Sequence, residues 1–176
     1  MTKIQVRRGS AVAWSAANPV LAAGEPGFDE TAKRMKVGDG ATAWNALPYQ
    51  GIGGRDTASH TTASLAAAAA EDFTLALSKS FALFKVETDV QARVRLYASA
   101  AYRTADAARA IGVDPTGDHG LIAEVVTTPS MLSVWLSPVA VGGAADGGAA
   151  VYGRIDNTGA GATAVAATLT YVTLEG

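Results

Sequence analysis

Few residues in this chain have types and spacing that could do chemistry, and the densest group is Asp114, Asp118 and His119 in "VDPTGDHGL". Two carboxylates and an imidazole so close together could ligate a metal ion or supply a general base. Asp and Gly in a strand connection are more often plain turn chemistry, however. The group is therefore read as a turn at whose tip His119 is exposed and can touch a partner. His60, the other histidine, lies in "ASHTT" with no acid closer than Asp56, and is expected to be solvated. Triad members can be distant in sequence, but no G-x-S-x-G elbow raises the expectation of a hydrolase. "GIGGRD" lacks the G-x-G-x-x-G spacing and follows no strong strand, so no nucleotide loop is expected there. With no cysteine there is no disulfide or thiolate metal site. No catalytic residue, metal or cofactor is expected.

The bulk numbers narrow the class. The 176 residues suffice for one ordinary domain or two small ones. A net charge of −2 argues against life on nucleic acid, which needs a clustered basic surface. Hydrophobic residues make up 49%, but many are Ala, and aromatics are only 7%. Such a lean core favours an oligomer in which subunits bury one another's surface. "MTKIQVRRGS" has no apolar segment of the signal-peptide kind, and the run Leu65 to Ala70 is too short to span a bilayer. The expectation is a soluble chain made in a cytoplasm, without membrane insertion, released by a route such as cell lysis.

The elements that must position these residues fall into three stretches. Residues 1–50 hold Trp14 and Trp44 and six of the 14 Lys and Arg. "KIQVRR" alternates, with Ile4 and Val6 on one face. "KRMKVGDG" alternates again, with Met35 and Val37 on one face, and stops at Gly38-Asp39-Gly40, where glycine supplies positive φ for a tight turn. Residues 51–72 read as a linker. Its "SLAAAAAED" favours a short helix, because Ala has the highest helix propensity, though so short a helix needs packing to persist. Residues 73–176 read as an antiparallel β-sandwich of six or more strands. In "DVQARVRLYAS", Val90, Ala92, Val94 and Leu96 face one way, and Gln91, Arg93, Arg95 and Tyr97 the other. In "TAVAATLTYVTLEG", Val165, Ala167, Leu169 and Tyr171 form one face. Turn composition separates the strands at "DPTGDHG", "TTPS", "GGAADGG" and "DNTGAGA". No sustained β–α alternation is present, so the fold class is all-β.

The order of residues in the first stretch carries a family resemblance. Ile4, Gln5, Arg7, Arg8 and Gly9 are followed by Trp14 and Asn18-Pro19-Val20-Leu21. Then come Gly24-Glu25, Gly27, Lys36, Gly38-Asp39-Gly40, Trp44, Leu47-Pro48 and Tyr49. This pattern resembles the N-terminal module of phage fibre proteins, found at the front of the major tropism determinant and of hyaluronidase-like tail fibres. The resemblance implies an intertwined homotrimeric β-prism that attaches the protein to a virion. Within it Arg7, Arg8, Trp14, Glu25, Gly38, Asp39, Gly40, Trp44 and Tyr49 are the module residues. So small a piece without Cys or metal ligands rarely folds alone, and trimerisation is expected to bury Trp14 and Trp44. The third stretch resembles the small β-sandwich at the ends of phage and cyanophage fibres.

The functional expectation is a structural virion fibre of a bacteriophage, assembled in the host cytoplasm. Its partners would be its own copies, other virion proteins of the tail, baseplate or capsid, and a host surface glycan or protein. Contact is expected on sandwich loops near Tyr102, Arg103, His119 and Asp146. The alternative is a decoration fibre that stabilises the capsid. Arg7-Arg8 and Lys33-Arg34 would dock on an acidic virion surface or remain solvated. Lyase activity is not expected, because in hyaluronidase-like fibres it belongs to a long β-helical region, and no repeat follows the linker here.

Overall fold

The computed structural model describes residues 6–51 and 54–175. Ile4 and Gln5, to which the first strand reading extended, lie outside the described residues. The chain divides into two compact units, with the boundary after Gly53.

The first unit contains β1 (Arg7–Gly9), α1 (Ala11–Ala17), β2 (Pro26–Asp29) and β3 (Arg34–Val37). The sheet order is β1-β2-β3, with β1 parallel to β2 and β3 antiparallel to it. A parallel pair needs a crossover, and α1 lies in it. The helix is missing from the sequence reading, although its ends are marked. Ser10 caps it by accepting from Ala13 N–H, and Asn18 ends it in the left-handed region, just before Pro19.

Two expectations for this unit are corrected. In β3 Met35 and Val37 share one face as read, but that apolar face is not the inner one: Met35 is exposed and Lys36 is buried. The reason lies across the ladder, where the equally buried Asp29 of β2 supplies an inward carboxylate and Trp44 an inward carbonyl. The second correction concerns the tryptophans. Trp14 is 4% exposed and Trp44 2% exposed within one chain. They stack with ring centroids 3.9 Å apart and pack with Leu21 and Leu47. Trimerisation is therefore not what covers them.

The second unit contains β4 (Arg55–Thr61), β5 (Ala70–Ala76), β6 (Ser80–Thr88), β7 (Ala92–Tyr97), α2 (Ala100–Ala105), β8 (Leu121–Val126), β9 (Ser133–Gly143), β10 (Ala150–Asn157) and β11 (Ala166–Glu175). Two four-stranded sheets, ordered β4-β11-β6-β9 and β5-β10-β7-β8, lie in a sandwich-like arrangement. All their pairings are antiparallel. Leu83, Val86, Leu169 and Tyr171 of one sheet share a core with Phe73, Val94, Leu96 and Ile155 of the other. The face expected for Val165, Ala167, Leu169 and Tyr171 is the buried one.

The linker and its helix are corrected. Residues 55–61 form β4, an edge strand, and the Ala run is a turn leading into β5. Ala68 takes φ +61, which no right-handed helix admits. Helix propensity loses because the strand offers more partners. Ala70 to Ala76 pair along β10, and the buried Asn157 amide donates to the carbonyls of Leu65 and Ala66. A short helix there would pay the nucleation cost with few bonds in return.

Candidate functional site

The local sequence of β7 builds the site. Its apolar residues face the core as expected, yet Arg93, Arg95 and Tyr97 on the other face are also buried. What covers them is the segment from Ser99 to Gly120, which opens with α2, capped by the Ser99 hydroxyl on Tyr102 N–H. This cover is held by charge rather than by apolar packing. Arg95 donates to the Asp106 carbonyl at 2.7 Å and pairs with Asp156 at 3.0 Å. Arg93 donates to the Arg109 carbonyl at 2.6 Å and to Glu124 at 2.7 Å. Tyr97 donates its hydroxyl to Asp106 at 2.6 Å, and Arg109 pairs with both Asp106 and Glu124.

The protonation states follow from these contacts. Burial pushes the Asp106 carboxyl up, but hydrogen bonds from Arg109 and Tyr97 outweigh it and hold the group at about 2. Burial, and then the bond to Asp106, raises Tyr97 to about 12. Glu124 is likewise raised by burial and brought below its ordinary value by Arg93 and Arg109. Asp106 and Glu124 are thus ionised at neutral pH, and each guanidinium has a counter-charge, as buried ions require.

Between α2 and the loop 113–119 the cover leaves a cavity of about 290 Å³. Arg109 contributes to it but is already spent: its nitrogens bond Asp106, Glu124 and the Val113 carbonyl. Asp106 is spent in the same way. The remaining polar lining comes from Tyr102, Asp114, Thr116, Asp118 and His119. Tyr102 donates to Asp118 at 2.9 Å, and that bond raises the phenol above its ordinary value. The Tyr102 ring packs on Gly120, where an added Cβ would lie 2.1 Å from it. His119 Nδ1 accepts from Leu121 N–H at 3.1 Å, so in the neutral ring Nε2 carries the hydrogen. Among the described residues no three His, Asp or Glu side chains come together as metal ligands.

The structure thus brings two of the expected contact residues, Tyr102 and His119, to one cavity. Arg103 is not free for contact. It donates to the Phe73 carbonyl at 2.7 Å and pairs with Asp72 at 3.3 Å. Asp146 does not line the cavity; its carboxylate accepts from Gly148 N–H in the turn between β9 and β10. His60 is not solvated as expected. The fold brings Glu71 to 2.9 Å from its Nε2 and stacks its ring on Phe73, a partnership across two strands that local sequence does not show. The sequence reading also missed Asp106 and Arg109. Their i, i+3 spacing beside the Arg-x-Arg of β7 was the available signal.

In the first unit the module residues divide by role. Trp14 donates its indole N–H to the Phe28 carbonyl at 2.9 Å. Lys36 donates to the Trp44 carbonyl at 2.8 Å, and its ammonium lies over the rings of Trp44 and Tyr49. Burial pulls its pKa below the ordinary value. Tyr49 donates to the buried Asp29, and that bond is the largest cause of Asp29's lowered pKa. Asp39 accepts from the Thr42 hydroxyl and from the N–H groups of Thr42 and Ala41, which holds it at about 2. Gly40 takes φ +81, as the turn reading required. Gly38 does not; it is needed for close approach, since a Cβ there would lie 2.3 Å from the Ala22 carbonyl oxygen. Arg7 and Arg8 are exposed, 3.9 Å from Glu25 and 3.6 Å from Glu30 respectively.

Residues 4–42 match the family model described as the major tropism determinant N-terminal domain. The match points to a phage-related protein of the tropism and receptor-binding kind, and it is consistent with a virion component. It covers about a fifth of the chain and lies wholly within the first unit. No curated protein matches the chain, and no solved structure does.

Proposed function

We propose that the chain is a homotrimeric virion fibre protein of a bacteriophage. Its N-terminal unit forms a trimeric β-prism that attaches to other virion proteins. Its C-terminal unit contacts the host cell surface, and it has no catalytic role. The observation that carries this reading is the match of residues 4–42 to the tropism-determinant module, on a unit compact in itself and followed by a separate sandwich-like one. The exposed Arg7 and Arg8, beside Glu25 and Glu30, supply a charged edge for docking. Three weakly binding heads on one trimer would gain strength by acting together.

The test is to locate the protein on intact particles with gold-labelled antibody in the electron microscope, and then to measure binding of the purified chain to host cells. Label at the tail or baseplate, with saturable cell binding, is the expected result. Label scattered over the head without cell binding would replace this reading with capsid decoration.

A further inference from the structure

The cavity beneath the loop 113–119 differs from the rest of the covering segment, because its polar groups are not used up by the fold. Arg109 and Asp106 are saturated by structural bonds. The loop's own hydrogen bonds engage Tyr102, one oxygen of Asp118 and Nδ1 of His119. Beyond those bonds, the polar residues of its lining, among the described residues, are Asp114, Thr116, Asp118 and His119, the first three of them exposed. Acceptors outnumber donors in this set. A complementary ligand must therefore bring several hydrogen-bond donors, and two acidic side chains in one small lining disfavour an anion.

The apolar part of the lining limits the ligand further. Val113, Ala105, Ala108 and the ring of Tyr102 give small hydrocarbon patches beside the carboxylates. A ligand with hydroxyls on its edge and C–H groups on its face meets both demands. A volume of about 290 Å³ is at the small end for a ligand pocket, ~300–1,000 Å³, and holds a single ring. Tyr102, seated against Gly120 and bonded to Asp118, is fixed before any ligand arrives, which reduces the ordering cost of binding.

We infer that this cavity binds one residue of a neutral sugar, with Asp114 and Asp118 accepting from its hydroxyls and His119 donating from Nε2. The inference rests on the receptor-binding reading for its biological setting, but sugar binding itself is a property of the isolated chain. The experiment is saturation-transfer NMR on the full chain. The probes are the methyl glycosides of glucose, galactose, mannose and N-acetylglucosamine, with methyl glucuronide as the anionic comparison and ethylammonium as a simple cation.

At least one neutral glycoside should bind, methyl glucuronide should not, and Asp114→Ala should weaken binding about tenfold or more. Asp114 is exposed and, among the described residues, bonds to no other part of the fold, so that variant should fold. Asp118→Asn, which keeps an acceptor for Tyr102, provides a second variant with the same expected direction. Three outcomes would overturn the inference: no neutral glycoside binding, binding unchanged in both variants, or ethylammonium binding while every neutral glycoside fails. Cell binding without glycoside binding would defeat this inference and leave the receptor reading standing. Glycoside binding by a chain that ignores host cells would do the reverse.

Discussion

Lys36, Asp29 and Tyr49 put three polar side chains into a unit whose buried apolar cluster, among the described residues, is two tryptophans and two leucines. Asp29 is wholly buried, and among the described residues it accepts, besides Tyr49, from Thr31 and Ala32 N–H and lies near Lys36. Removing the phenol hydroxyl in Tyr49→Phe should cost about 1–3 kcal/mol, the range for under-satisfying a buried acceptor. The sign of its pH dependence follows from the lowered Asp29 pKa. A depressed carboxylate contributes stability above its unfolded value that is lost as pH falls through the folded one. With the largest lowering cause gone, the acid limb of the urea-unfolding profile should move to higher pH in Tyr49→Phe; an unmoved limb would show that the bond does not set it. At Gly38 the demand is steric. The neighbour of the missing Cβ is a backbone oxygen, which cannot rotate away, so Gly38→Ala should destabilise the first unit by about 1–3 kcal/mol. Thermal unfolding followed by tryptophan fluorescence reads this directly. The glycine was legible in sequence as part of a turn, but its reason was not. φ at Gly38 is ordinary, and the constraint comes from Ala22, a residue no local window connects to it.

At the scale of elements, two segments contradict their local composition for reasons that can be measured. The Ala run before β5 has the composition of a helix, yet Ala68 sits at positive φ. An L-residue pays roughly 1–2 kcal/mol there, and glycine does not, although glycine loses more entropy on folding. Ala68→Gly should therefore stabilise the chain by up to about 1 kcal/mol. In a helix the same change would cost about that much, so the sign of the shift in urea midpoint decides between the two. The segment covering β7 shows the complementary case. Alternation in "DVQARVRLYAS" correctly gave two faces, but no pattern says that the arginine face is buried, because the covering residues lie in a stretch of Ala, Asp and Gly with turn composition. Its attachment should be acid-sensitive. Asp106 is held at about 2 against an ordinary 3.8, a difference worth about 2 kcal/mol at neutral pH. Being depressed, it contributes fully above pH 4, and the contribution disappears as pH falls towards 2. Asp106→Asn should be less stable than wild type at pH 7, and the gap in urea midpoint should close across that window. A gap that persists at pH 2 would mean that the side chain matters for shape rather than charge.

For the whole molecule, assembly does not follow from the need to bury Trp14 and Trp44. Both tryptophans are covered within one chain, stacked on each other. What remains is the family match over residues 4–42 and the small size of the first unit, whose buried apolar side chains are few. Patterning identified the all-β class and the long strands of the second unit, because one buried face per strand leaves a period-two signature, as in β11. It could not show β4 as part of that unit, since an edge strand reading "RDTASHT" buries little and carries almost no such signature. The unit boundary accordingly falls after Gly53 rather than beyond the Ala run. This relocation sharpens the oligomer prediction. Light scattering coupled to size exclusion should give three times the 17.8 kDa chain mass for the full protein and a single chain mass for residues 54–176. If both species run as trimers, the contacts belong to the sandwich-like unit, whose outer face carries the exposed Trp135 and Val141. If both run as monomers, the homotrimer is wrong, and with it the avidity on which receptor binding by weak heads depends.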